Sequence, residues 1–139
     1  PIVRKYRNQS DRAIAQAVRQ LRAGNNFDVF PEGTRSRTGE LLPFKKGAFI
    51  MAIQAGAPIV PVAIVGAEEA MKKGSPVIWP TTLRVSLGPP IETSTLSIHD
   101  RDRLIHAVRS DMQARLDRLK ARPGVAPASP ASVGARAVE

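Results

Sequence analysis

Segments with helical periodicity alternate along this chain with short β-prone runs, and that alternation predicts an α/β fold, a sheet with helices packed on it. Residues 27–30, 59–65 and 83–87 carry the strand expectation. Helices are expected from Ser10 to Ala23, within residues 43–55, and from about Asp100 to Lys120. A length of 139 residues allows one domain at most, and no internal repeat is evident.

The first residues, Pro1-Ile2-Val3-Arg4, read as the tail of a strand. Ser10 is the expected N-cap of the first helix, with Asp11 favourably placed in its first turn. Ile14, Ala17, Val18 and Leu21 recur at helical spacing as one apolar stripe, while Arg12, Arg19 and Arg22 take the other faces. Gly24 ends this helix at C′. In the short strand at 27–30, Asp28 stands where a buried parallel strand wants an apolar residue. An edge position or a nearby arginine would accommodate it.

Phe49, Ile50, Met51 and Ile53 make the second helix broadly apolar and therefore well buried, and Gly56 ends it. Pro61 lies inside the strongly β-prone run 59–65, which argues for an edge, a bulge or a strand end. Residues 66–74 read as a loop or short helix. Trp79, in the apolar Val77-Ile78-Trp79, is expected to be a core anchor, with an interfacial place near lipid headgroups as the alternative. Residues 83–87 alternate apolar side chains with Arg84 and Ser86 as a half-exposed strand, ended by Gly88-Pro89-Pro90.

The last helix carries Leu104, Ile105, Val108, Met112, Leu116 and Leu119 on one face, and arginines, Arg109 and Arg115 among them, on the other. Such a stripe is expected to pack onto the sheet; a basic amphipathic helix lying on an anionic membrane is the alternative. Residues 1–120 thus form the folded part. Residues 121–139, rich in Ala, Pro and Ser, form a tail expected to be disordered.

Lys+Arg 21 against Asp+Glu 12 gives a net charge of +9 and a pI near 11.1, which favours anionic partners: nucleic acid, anionic lipid or phosphorylated substrates. The absence of cysteine excludes disulfides, a thiolate metal site and a Cys nucleophile, and fits a cytosolic location. No apolar run approaches the roughly 18 residues of a spanning helix, and no signal peptide is visible. The chain starts at Pro1 rather than Met, which reads as a fragment or a processed product.

The chemistry concentrates in Phe30-Pro31-Glu32-Gly33-Thr34-Arg35-Ser36. Phe30, preceding a proline, is pushed into an extended conformation, and Pro31 ends the strand ladder. Gly33 can take positive φ and lets a ligand approach the backbone. Arg35 offers a planar fork of donors suited to phosphate or carboxylate. Glu32 is placed to orient Arg35 or to accept a bond from a substrate hydroxyl. The competing reading is a surface turn with a local Glu32–Arg35 ion pair. Lys45 and Lys46 are expected in the first turn of the second helix, where each cation opposes the helix dipole by roughly 0.3–1 kcal/mol. That misfit, at a helix N-terminus, suits an anion site.

This stretch resembles the glycerophosphate-binding motif of the glycerolipid acyltransferase family, which includes the lysophosphatidic acid acyltransferases. Leu42-Pro43-Phe44-Lys45-Lys46-Gly47-Ala48-Phe49 follows at the family's spacing, and Gly56-Ala57-Pro58-Ile59-Val60-Pro61-Val62-Ala63-Ile64 resembles its next block. The likeness covers roughly residues 1–120. It implies a mixed β-sheet flanked by helices, truncated at the N-terminus, and a transfer of an acyl group from acyl-CoA or acyl-carrier protein to a lysophospholipid. It further implies that Arg35 holds the acceptor phosphate, with Lys45, Lys46 and Arg4 as lesser candidates. Glu32 would position the acceptor, and Gly33 and Thr34 would shape the loop. No metal or prosthetic group is implied. The expected setting is peripheral, at the cytoplasmic face of an anionic membrane.

The family's catalytic His-x4-Asp lies upstream of the glycerophosphate motif, so no catalytic residue is assigned here. His106 and Asp111 have the same spacing but lie after the motif and within a helix. Five residues at about 100° each set the two side chains roughly 140° apart. His99 reads as a surface residue at a helix start. The chain alone is therefore expected to bind an acceptor phosphate without catalysing transfer. A non-catalytic basic module, for a membrane surface or nucleic acid, is the rival reading. Four Phe, one Tyr and one Trp give little for base stacking, and nucleic acid is not an expected partner.

Overall fold

The computed structural model describes residues 2–36, 38–70 and 77–121, with backbone alone over 2–10 and at 68. Helix α1 (Ile2–Arg22) is followed by α2 (Gly47–Ala55), strand β1 (Val62–Val65), the short α3 (Ala67–Ala70), β2 (Arg84–Leu87), a 3-10 turn (Ile98–Asp100) and α4 (Arg101–Ala121). No helix among the described residues is long and apolar enough to cross a membrane. The expected tail lies outside the described residues from 122 onward.

Helix α1 corrects two expectations. Residues 2–4 are helical rather than the tail of a strand, and Ser10 lies inside the helix rather than at its cap. The stretch from Ile2 to Ser10 contains neither glycine nor proline, so nothing local stops a helix from extending backward through it. The other end is as expected. Gly24 takes φ 89°, its N–H donates to Leu21 O at 3.0 Å and that of Asn25 to Gln20 O at 3.1 Å, the paired bonds of a Schellman motif. The apolar stripe packs against α2, with Val18 buried, and Arg22 Nη2 donates to Gln54 O at 2.6 Å.

Helix α2 ends on Gly56, left-handed at φ 68°, in the same motif. The buried Thr93 hydroxyl reinforces this end, donating to Ala57 O at 2.8 Å with Ala52 O 3.1 Å away. Phe44, Phe49, Ile53, Leu104 and Val108 form the main core between α2 and α4; Ala63, Leu116 and Leu119 form a second cluster between β1 and α4. Helix α4 thus packs onto both α2 and the sheet, as its apolar face predicts. Fully burying a side chain such as Phe49 or Leu104 stabilises the fold by about 1.5–3 kcal/mol.

Strands β1 and β2 pair antiparallel with Val62 opposite Leu87 and Ile64 opposite Val85. Pro61, which has no N–H, stands just before β1, and its carbonyl accepts from Gly88 N at 2.8 Å. A separate bridge joins Ile59 and Ile91. The strands are half-exposed, but with the apolar side outward. Ala63 and Ser86 face α4, where Arg115 Nη1 donates to Leu87 O at 2.8 Å and approaches Ser86 Oγ at 3.3 Å. Val62, Ile64, Val85 and Leu87 are exposed on the opposite side.

Residues 27–30 form no ladder among the described residues, because an extended segment becomes a strand only when a neighbour pairs with it. Phe27, Val29 and Phe30 are exposed. Trp79 is 59% exposed and not a core anchor. Its N–H donates to Ala70 O at 2.8 Å, which ties the backbone down at the end of α3 while the indole stays outside the core.

Candidate acceptor-phosphate site

The turn at residues 30–36 is set by its own backbone. Gly33 takes φ 69°, a conformation that costs other residues strain, and its N–H donates to Phe30 O at 3.0 Å. Two bonds then tie the turn to residues 42–45. Lys45 N donates to Pro31 O at 2.7 Å, and Leu42 N donates to Glu32 Oε2 at 2.8 Å. Three of the expected site residues, Glu32, Gly33 and Lys45, are therefore brought together by this pairing.

The Lys45 side chain lies across Gly33. A Cβ built on that glycine would stand 2.5 Å from Nζ and 2.6 Å from Cε. Glycine thus serves here both for its φ and for the room it leaves to an ammonium. Thr34 and Arg35 are exposed one and two residues further on, and no described residue forms an ion pair or hydrogen bond with the Arg35 guanidinium. The Glu32–Arg35 ion pair weighed above is not formed; Glu32 instead accepts from a backbone amide. The arrangement offers cationic donors at an open turn whose one carboxylate is already engaged.

Lys46 differs from Lys45. It occupies the N-cap position of α2 in helical conformation without a side-chain cap, so both lysines precede the first turn rather than sitting in it. Its Nζ lies 3.6 Å from Asp102 Oδ1 in a pair exposed by 60% and 67%, so water screens the contact. Lys46 is thus directed toward α4. Arg4 falls in the first turn of α1, and its side chain lies outside the described residues.

His106 and Asp111 both lie on α4. Asp111 is held by Arg115, with Nε to Oδ2 at 2.6 Å and Nη2 to Oδ1 at 3.1 Å, while His106 is exposed. The fork fixes the carboxylate on Arg115 and raises the arginine's pKa. His99 is exposed in the 3-10 turn.

Arg109 stands on the polar side of α4 by periodicity, yet it takes a part that spacing does not reveal. Its guanidinium donates to Leu42 O at 2.7 Å and to Leu41 O at 2.8 Å, beside the Glu32 contact. Lys120 Nζ donates to Gly39 O at 2.9 Å from the same helix. The two partners of Arg109 lie 67 and 68 positions away in the chain, and no local spacing signals such a contact.

The sequence profile of the Acyltransferase family matches residues 1–65. The chain is 40% identical over 100 residues to a 1-acyl-sn-glycerol-3-phosphate acyltransferase of Limnanthes douglasii, covering 69% of this chain and 36% of that protein. It is 40% identical over 85 residues to the 1-acyl-sn-glycerol-3-phosphate acyltransferase alpha of Mus musculus, covering 60% of this chain and 30% of that protein. The chain thus spans about a third of the length of these curated relatives. Its fold matches the crystal structure of the 1-acyl-sn-glycerophosphate (LPA) acyltransferase PlsC from Thermotoga maritima, with a TM-score of 0.73 and 32% identity over 82% of this chain and 46% of that one. The profile match spans the motif turn, and the chain belongs to the glycerolipid acyltransferase family.

Proposed function

We propose that this chain holds the phosphate of a lysophospholipid in an acyltransferase of phospholipid synthesis, with lysophosphatidic acid as acceptor and phosphatidic acid as product. One observation carries the reading: an exposed Arg35 fork with no described partner, on the turn where the Lys45 ammonium crosses Gly33. A guanidinium suits phosphate because its donors match two oxygens at once. Arg35 and Lys45 bind the phosphate, and Glu32 and Gly33 fix the turn. The relatives from Limnanthes douglasii and Mus musculus are both 1-acyl-sn-glycerol-3-phosphate acyltransferases, which supports this reading.

In the reaction, the acceptor hydroxyl oxygen attacks the thioester carbon of acyl-CoA or acyl-carrier protein. The C–O bond forms, the C–S bond breaks, and the hydroxyl proton leaves to a base while the thiolate departs and is protonated. An alcohol near neutral pH needs a positioned base for this step. Neither His106, exposed on α4, nor Asp111, forked by Arg115, is arranged as that base. Residues 1–139 alone therefore bind the headgroup and do not transfer acyl groups. The net charge of +9 suits a peripheral position at an anionic, cytoplasmic membrane face.

Acyl transfer by the full-length protein, with lysophosphatidic acid compared against other lysophospholipids and with both donor classes, tests the reading. Transfer to lysophosphatidic acid is expected; no transfer to any lipid acceptor would sink it.

A further inference from the structure

We propose that Arg109, in the middle of α4, is a positioning residue for the acceptor-phosphate turn, acting through the single peptide group that joins Leu41 to Leu42. The proposal rests on the reading of that turn as the acceptor site.

One end of that peptide group is the Leu41 carbonyl, which accepts from Arg109 Nη2 at 2.8 Å. The other end is the Leu42 N–H, which donates to Glu32 Oε2 at 2.8 Å. The peptide dipole thus lies between a guanidinium at its negative end and a carboxylate at its positive end. Each bond polarises the other, so the amide donates better to Glu32 because its carbonyl is held by a cation. Arg109 Nη1 holds the next carbonyl, Leu42 O, at 2.7 Å. With two successive carbonyls forked, rotating either peptide group breaks a bond to the guanidinium.

The guanidinium is itself fixed. Its carbon lies 5.6 Å from the centre of the Phe44 ring, and Phe44 is buried in the main core. A lysine cannot reproduce this arrangement, since one ammonium neither forks two carbonyls nor stacks on a ring in the same way. Helix α4 thereby connects the core to Glu32, and through Glu32 to Gly33, Thr34 and Arg35, without touching a ligand at the turn.

The test uses the full-length protein, with steady-state kinetics in lysophosphatidic acid and acyl-CoA and hydrogen exchange at the Leu42 amide. Arg109→Met is expected to raise KM for lysophosphatidic acid by at least about tenfold while KM for acyl-CoA stays within about twofold. Exchange at Leu42 is expected to accelerate together with the rise in acceptor KM. Arg109→Lys is expected to recover part of both effects, and it carries the same two readings if Arg109→Met does not fold. Lys120→Met, which removes the outlying bond to Gly39, is expected to leave both close to wild type. Unchanged Leu42 exchange in a folded Arg109 variant, or an equal rise in both KM values, overturns the proposal. An Arg35→Met variant with unchanged acceptor KM instead overturns the acceptor reading, and Leu42 exchange then still decides whether the relay exists.

Discussion

Arg35 and Lys45 reach the same turn by different routes. Arg35 sits on the turn itself, whereas Lys45 is brought there by its own N–H on Pro31 O and by the absence of a side chain on Gly33. Removing the arginine fork should weaken binding of sn-glycerol 3-phosphate by about 1.5–3 kcal/mol in Arg35→Ala. Arg35→Lys should recover only part, because charge remains but the paired donors do not. Isothermal titration calorimetry measures both, and an unchanged affinity in Arg35→Ala would remove this residue from the site. Gly33→Ala combines two penalties: a positive φ costing about 1–3 kcal/mol, and a methyl group where Lys45 Nζ and Cε lie. It is expected to lower both the melting temperature and the phosphate affinity, while Gly24→Ala, with open space around it, should lower stability alone.

The helices are held at their ends as much as along their faces. Asp100 precedes α4 and accepts from both Ser97 N and Ser97 Oγ at 2.9 Å. These two bonds, backbone first, hold its carboxyl below the ordinary value of 3.8, with Arg103 adding to the effect. A carboxylate whose pKa is lowered on folding contributes stability that is complete above 3.8 and is lost as pH falls through the lower folded value. Wild type should therefore lose melting temperature on acidification below about pH 4 more steeply than Asp100→Asn, with the two curves converging at low pH. Parallel curves would show that the contact does not contribute. At the end of α2, Thr93→Val keeps the approximate shape but leaves Ala57 O without its donor in the interior. A loss of about 1–3 kcal/mol in denaturant unfolding is expected.

Taken together, α4 covers one side of the two-stranded sheet while Val62, Ile64, Val85 and Leu87 face outward. Contiguous exposed apolar surface promotes association. The 139-residue chain alone is expected to bind a hydrophobic dye and to scatter light at high concentration, and Val85→Lys with Leu87→Lys should reduce both signals. Equal dye binding in that double variant would mean that the surface lies elsewhere. The charge of +9 should make binding to anionic vesicles fall steeply with salt, since screening acts within about 8–10 Å near physiological ionic strength.

Local chemistry made several features legible in advance. The helical stripe through Ile14, Ala17, Val18 and Leu21, the stops at Gly24 and Gly56, and the boundary at Pro61 all depend on a few neighbouring residues, so they can be read from spacing alone. The positive φ of Gly33 was likewise legible, because a glycine in a short turn is a local pattern, whereas the site reading of residues 30–36 rests on their resemblance to the family motif. What neighbours far along the chain supply could not be read. The outward apolar side of β2 follows from α4 packing on the other face, and the exposure of Trp79 from where the core happens to lie. The engagement of Glu32 by Leu42, the separation of Lys45 from Lys46, and the grip of Arg109 on Leu41 and Leu42 are contacts across turns and between elements. Periodicity fixes which face of an element is apolar; only packing decides what that face meets.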